Sequence, residues 1–340
     1  MKKAIYILCA CALFLSACSE EEPDVIPEKY NSYYYYSYEL GESISSEQLS
    51  LSGDFTPDPS LLRGNTLFIA NIAENNWSLE LYDRKKKKHL TSLKSWTYKD
   101  EVQTFNNRIE AIAISGNRLY LANIGSCIDV FDVNTLRFIT RIGTRNWGSG
   151  NREMLHSHAM VISGDYIIIR MKNRMQVYLE SDVTEENYQK VPFYARGTVS
   201  GFDTNNGFYS HQMVVDKDGL ILLADYGQYG NKKIQVIDPT LIQKGDNINM
   251  VDAGRTLSLD FNPAGIALYK DLIFISDGSG YIRVYDRAKQ DFIQRFNSFN
   301  GYKLGKAVKL TTDGDRLWIS DQTKKQLIGA DIYQNEIREY

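Results

Sequence analysis

The sequence predicts an all-β chain: a six-bladed β-propeller of four-stranded antiparallel blades, preceded by a lipoprotein-type signal peptide and a flexible linker. Two observations lead there. A hydrophobic strand recurs six times, starting at Leu67, Leu119, Ile167, Ile221, Ile273 and Leu317, so successive starts lie 52, 48, 54, 52 and 44 residues apart. Five of the six copies close on a carboxamide or carboxylate, at Asn71, Asn123, Asp225, Asp277 and Asp321. Units of this size that hold several short strands mark propeller blades rather than helical solenoids.

Within a unit the alternation and turn residues give four strands. Blade two begins at residues 110–114, turns at Gly116 and Asn117, and rises through 119–123. It turns again at Gly125 and Ser126, continues through 128–132 and ends with 137–142. Blade five repeats the plan at 264–268, 273–277, 281–286 and 292–296, and blade four repeats it around His211, Asp225 and Ile234 to Asp238. Blade three departs, with Arg170 and Met171 where the other blades have small and acidic residues; either it is degenerate or its surface has been recruited.

The run Phe261, Asn262, Pro263, Ala264, Gly265, Ile266, followed by Ser276, Asp277, Gly278 and then Ile282 to Asp286, resembles an NHL repeat. The chain as a whole resembles the NHL and TolB-like propeller lipoproteins. This resemblance covers blades two, four and five well, blades one and six less, and blade three poorly.

The first residues give an address. Lys2 and Lys3 precede an apolar run, 4–14, that is too short to span a bilayer and has the layout of a secretory signal. Leu15, Ser16, Ala17 and Cys18 then resemble the bacterial lipobox, which implies residues 1–17 as signal peptide and Cys18 as the acylated (palmitate-bearing) N-terminus. Several acyl chains make anchoring stable where one would not. Ser19, Glu20, Glu21 and Glu22 resemble the acidic tag of outer-membrane lipoproteins exposed at the cell surface, and are equally a solvated spacer. The expected location is the outer membrane.

Without Lys2 and Lys3 the net charge is near −5, so no nucleic-acid footprint is present. Cys127 is the one cysteine left beyond Cys18; it has no internal disulfide partner and reads as buried packing. Residues 18–55 form the linker and lead-in, and 56–340 the propeller, expected to be monomeric. Tyr30, Tyr33, Tyr34, Tyr35, Tyr36 and Tyr38 crowd this lead-in, as a strap packed on the domain or as a platform for sugar rings. Residues 45–55 are expected to add a strand to a terminal blade and close the ring, which removes exposed sheet edges.

The innermost strand of each blade lines the central channel. Counting four back from the last residue expected of that strand gives the ring Asp58, Glu110, His158, His211, Ala264 and Lys306. Glu110, His158 and His211 form a carboxylate and two imidazoles on converging strands, a set that zinc or another divalent ion uses. Resemblance to six-bladed propeller enzymes with a metal at the mouth, the amidating lyases and gluconolactonases, implies the same. The alternative is polar channel lining. His156 shares the face of His158 if the strand extends that far. Calcium is the lesser option, since no loop has the spacing of a dedicated calcium site. The Asn and Asp residues ending the second strands read as turn caps.

Two long loops flank the histidines: 141–156, with Arg145, Trp147 and Arg152, and 195–210, with Arg196. With His156 and Arg170 they make the expected ligand-binding sector, suited to an acidic or sugar-like group. The run from Arg84 to Lys88 reads as a solvated hairpin tip. No nucleophile elbow, phosphate loop or dinucleotide fingerprint is present. The expected function is a lipid-anchored envelope module that binds a protein, peptide or glycan at the channel mouth. The alternative is a metal-dependent lyase or hydrolase at the same mouth, and a third class is a structural partner of an outer-membrane complex, with its contact on the propeller sides or the tyrosine segment.

Overall fold

Six four-stranded antiparallel sheets, arranged as a ring of blades, account for nearly all of the regular structure. The computed structural model describes residues 31–146, 148, 150, 153–154, 156–171, 174–197, 212–225, 232–246, 249–250, 252–289 and 291–339. Blades one to five use consecutive strands, beginning with Pro57–Arg63, Ile109–Ser115, Ser157–Ser163, Gln212–Val215 and Gly265–Tyr269. These inner strands and Ala307–Asp313 of blade six each touch the next, and the sixth touches the first, so the ring closes.

Closure is made by the chain's two ends. Blade six runs in the order Asn31–Ile44, Gln326–Glu339, Arg316–Asp321, Ala307–Asp313, so its outermost strand comes from the lead-in. The expected closing strand at 45–55 is therefore displaced. That stretch forms turns, with Leu49 and Phe55 buried as plugs beside Trp318, and the tyrosine-rich segment supplies the strand instead. Its alternation explains the choice: Tyr35 is exposed while Tyr38 is buried, stacked 4.3 Å from Phe296 and edge-on to Phe274 at 5.8 Å. The chain divides into two compact units, Tyr38–Ile332, which is the propeller, and Met1–Ser37 with Tyr333–Tyr340. In the smaller unit Asn335 Nδ2 donates to Ser37 Oγ at 3.0 Å.

The core lies between blades, not inside one. One apolar cluster joins blades one and two through Phe68, Leu81, Leu121 and Phe131, and another joins two and three through Tyr120, Val130, Ile167 and Tyr178. Further clusters join three to four, four to five, and six to one. Second strands are thus covered on both faces, which is why they read as unbroken apolar runs; outer strands such as Lys88–Leu93 have water on one side and alternate. Gly116 and Gly314, at φ 52° and 51°, take the left-handed conformation that the tight turn between first and second strands requires. Lys86 N donates to Asp83 Oδ1 at 2.9 Å and Lys87 is left-handed, which makes the basic run a hairpin tip.

Candidate functional site at the channel mouth

At the end where the inner strands begin, charged side chains are packed almost without exposure. Strand register fixes who is equivalent. Ser60, Ile112, Met160, Ile266 and Leu310 face matching residues of their second strands. Two residues earlier stand Asp58, Glu110, His158, Ala264 and, in blade six, Val308 rather than Lys306. The apolar run of blade six stops at Leu310 but the strand continues through Thr311 and Thr312, which shifts the count by two. Lys306 is exposed at the rim. His211 lies outside the described residues.

The cation that enters the ring is Lys309, which is 2 % exposed. Its ammonium donates to the Glu110 backbone carbonyl and to Glu110 Oε2 at 3.3 Å, and stands 4.0 Å from Asp58 Oδ2. One side chain from blade six thus ties blades one and two. Arg108 Nε holds the other Glu110 oxygen at 2.5 Å. Asp58 accepts from Gln322 Nε2 at 3.1 Å through Oδ2. Burial pushes the Asp58 carboxyl up to about 6; Lys309 opposes that shift and the Glu110 charge adds to it.

His158 is buried, and burial holds its imidazole well below the usual range. Arg170, His156, Lys309 and Arg108 push the same way, so the ring is neutral at physiological pH. The His156 ring lies parallel to it at 6.1 Å. Arg170 is paired in register with Ala159, next to His158, and takes the place of the small residue that other blades carry there. Full burial lowers its guanidinium to about 10, against the pull of Asp225. Blade three thus brings a buried cation to the mouth.

Beside these charges the channel holds a cavity of about 310 Å³ lined by inner strands of all six blades, from Pro59 and Glu110 to Lys309 and Thr312. Exposed inner-strand backbone is met by side chains: Gln212 Oε1 accepts from Ile266 N and Leu310 N, both at 3.0 Å. Thr311 Oγ1 donates to Ser60 O at 2.7 Å, and Thr312 Oγ1 to Leu268 O at 2.6 Å.

The other expected residues divide. His156, His158, Arg170 and Glu110 come together at the mouth. Arg145 is engaged toward the outside of blade two, donating to Thr104 O at 2.7 Å and standing 3.9 Å from Asp129 Oδ2. Arg196 is on the outermost strand of blade three, Ala195–Gly197, paired with Asp246 at 2.7 Å and set over the Phe193 ring. Trp147, Arg152 and Cys18 lie outside the described residues. Among the described residues no group of three or more metal-ligating side chains converges. The residues ending the second strands tie loops: Asn71 Oδ1 accepts from Thr56 N and Ala73 N, and Asp277 Oδ1 from Ser279 N and Tyr281 N. Cys127 is buried and its thiol is pushed up to about 12 by desolvation. Lys309 is the residue that sequence reasoning missed; a single ammonium inside the run Ala307, Val308, Leu310 was the available signal.

No family model matches the chain, and no curated protein matches its sequence. Among solved structures, the β-propeller domain of Cps50 (Swd1) from Myceliophteria thermophila is similar, with a TM-score of 0.57 at 9% identity over 87% of this chain and 99% of that one. A structural genomics protein of unknown function from Bacteroides thetaiotaomicron gives 0.56 at 12% identity, over 89% and 77%. A protein of unknown function from Bacteroides caccae gives 0.51 at 10%, over 76% and 83%. At such identities the likeness shows the propeller fold alone.

The raised Asp58 carboxyl predicts a pH effect. Folded Asp58 binds a proton more tightly than the unfolded chain does, so its contribution is complete below about pH 4 and is lost as pH rises through about 6. Asp58→Asn should therefore raise the melting temperature relative to the parent at pH 7, and this gap should close toward pH 4.5. A gap that is constant across that range contradicts the assignment.

Proposed function

We propose that the chain is a lipid-anchored envelope module, held in the outer membrane through Cys18, that binds a protein, peptide or glycan partner at the channel mouth. The observation that carries this reading is the ring of buried charges there. Ionic groups removed from water are costly, and Glu110, Lys309 and Arg170 are retained on one face rather than replaced by apolar packing. Fixed charges beside the rim cations Arg108 and Lys306 suit recognition of a polar or acidic group. The blade text resembling NHL repeats, in a TolB-like layout, supports the same reading. So does the fold, because propellers host binding at loops held by a rigid frame.

A photo-crosslinking side chain placed at Lys306, in the full lipidated chain, should give a discrete adduct from envelope extracts, and the same group at Lys289, on a turn between the outer strands of blade five, should not. Equal labelling at both positions, or none at Lys306, contradicts a mouth site.

A second reading has one observation in its favour. His158 is held neutral, the form that ligates a metal, in register with Glu110. The ammonium of Lys309 and the guanidinium of Arg108 already occupy the cation positions beside Glu110, so zinc bound by Glu110, His158 and His211 has to displace Lys309. A metal-dependent lyase or hydrolase requires near-stoichiometric metal in the chain from Ser19 onward, measured by elemental mass spectrometry, and its loss in His158→Ala with His211→Ala. No metal after incubation with zinc and calcium removes this reading.

A further inference from the structure

A second polar groove lies on the outer side of blade two, away from the inner-strand ring. It measures about 640 Å³ and is lined by Tyr98, Thr144, Glu186, Tyr188, Gln189 and Lys190, with Lys99 and Glu185 at its edge. Tyr98 comes from a hairpin that belongs to no blade, Ser95–Tyr98 with Glu101–Thr104, whose central residues Lys99 and Asp100 are both left-handed as a two-residue turn demands. Trp96 packs on Phe105, just after the hairpin, and fastens it to blade two through Phe131 and Phe138, with ring centroids 5.0 to 5.7 Å apart. Tyr188 comes from the segment after blade three's third strand. The two tyrosine rings meet at 4.3 Å with 32° between their planes, and both remain partly exposed.

This pair is held by a buried ionic support. Arg141 Nη1 donates to Tyr188 Oη at 3.2 Å, and its backbone carbonyl accepts from Gln189 N at 2.8 Å. Arg141 is 1 % exposed and is fixed by Asp129, fully buried, through Nε to Oδ1 at 2.6 Å. Its guanidinium also stands 5.8 Å and 5.9 Å from the Phe138 and Tyr188 ring centroids. A buried Arg–Asp pair is weak evidence for stability in itself. Here it orients a partly exposed tyrosine and the amide beside it, as a supporting layer orients binding groups.

The lining chemistry selects the ligand. Among the described residues that line the groove none has an aliphatic side chain, which disfavours an apolar peptide segment. Glu185 and Glu186 balance Lys99 and Lys190, so the described lining carries no net charge and has no excess of cations to draw nucleic acid or anionic lipid. Adjacent tyrosine rings offer an apolar face with polar tips, while carboxylate, amide and hydroxyl groups supply donors and acceptors for several hydroxyls. We propose that this groove binds a neutral oligosaccharide, its C–H face on Tyr98 and Tyr188 and its hydroxyls on Glu186 and Gln189. This site is separate from the channel mouth and does not rest on it.

The test is native gel electrophoresis of the chain from Ser19 onward, through gels containing mannan, xylan, mixed-linkage β-glucan or dextran. Retardation is expected in at least one gel, with affinity weakened by roughly tenfold or more in Tyr98→Ala and in Glu186→Gln. Glu186 is exposed, so its variant keeps the parent melting temperature and separates lost binding from lost folding. Retardation in none of the four gels overturns the proposal. Retardation unchanged in either variant overturns it too, and if Arg108→Ala abolishes that retardation, the binding belongs to the mouth.

Discussion

The pairing of the first strand with the last is the interaction on which the rest depends. Five blades are built from consecutive strands, but the sixth needs Asn31–Ile44 against Gln326–Glu339, from opposite ends of the chain. Without it the last sheet presents a long unpaired edge and the lead-in no longer ties blade six to blade one. Tyr38 reinforces the seam by stacking on blade five, and Arg316 by holding Glu42 at 2.9 Å and Asp331 at 2.5 Å. The mouth inherits this dependence. Lys309 reaches Glu110 and Asp58 only while blades six, one and two stand side by side, so the buried charges are placed by closure.

Polar residues of the third strands follow a repeat of their own. The middle of each third strand carries Glu80, Asp129, Gln176, Gln235 or Arg283 in equivalent register, where five of six blades have a polar group and blade six has Ile328. Each finds a local partner: Glu80 takes His89 at 2.9 Å, Asp129 takes Arg141, and Gln235 donates to Asp225 at 2.6 Å. In blade two this position does more than satisfy itself, because Arg141 carries the anchoring outward to Tyr188. One structural position thus serves packing in most blades and supports a surface groove in one.

The blades were legible because their second strands are covered on both sides and so stay apolar throughout, and because turns at Gly116 and Gly314 require residues that few others replace. The closing strand was not legible as such. A run of tyrosines with polar neighbours reads as linker until its partner, nearly the whole chain away, is known. Blade six was misregistered because Thr311 and Thr312 continue an inner strand with polar side chains that bond to backbone of blades one and five. Glu110 and His158 were found by their repeat positions, whereas Lys309 breaks its repeat and Tyr98 and Tyr188 have none. Their meeting is set by a hairpin and a loop that packing folds over blade two, and no local pattern announces it.

Native-state hydrogen exchange of residues 38–44 and 326–332 tests closure most directly. Their paired amides are expected to exchange only with global unfolding, at the protection of the inner strands of blades two and three. Rapid exchange at this seam while blades two to five remain protected would show a ring that holds without it, and would contradict the dependence of the mouth on closure.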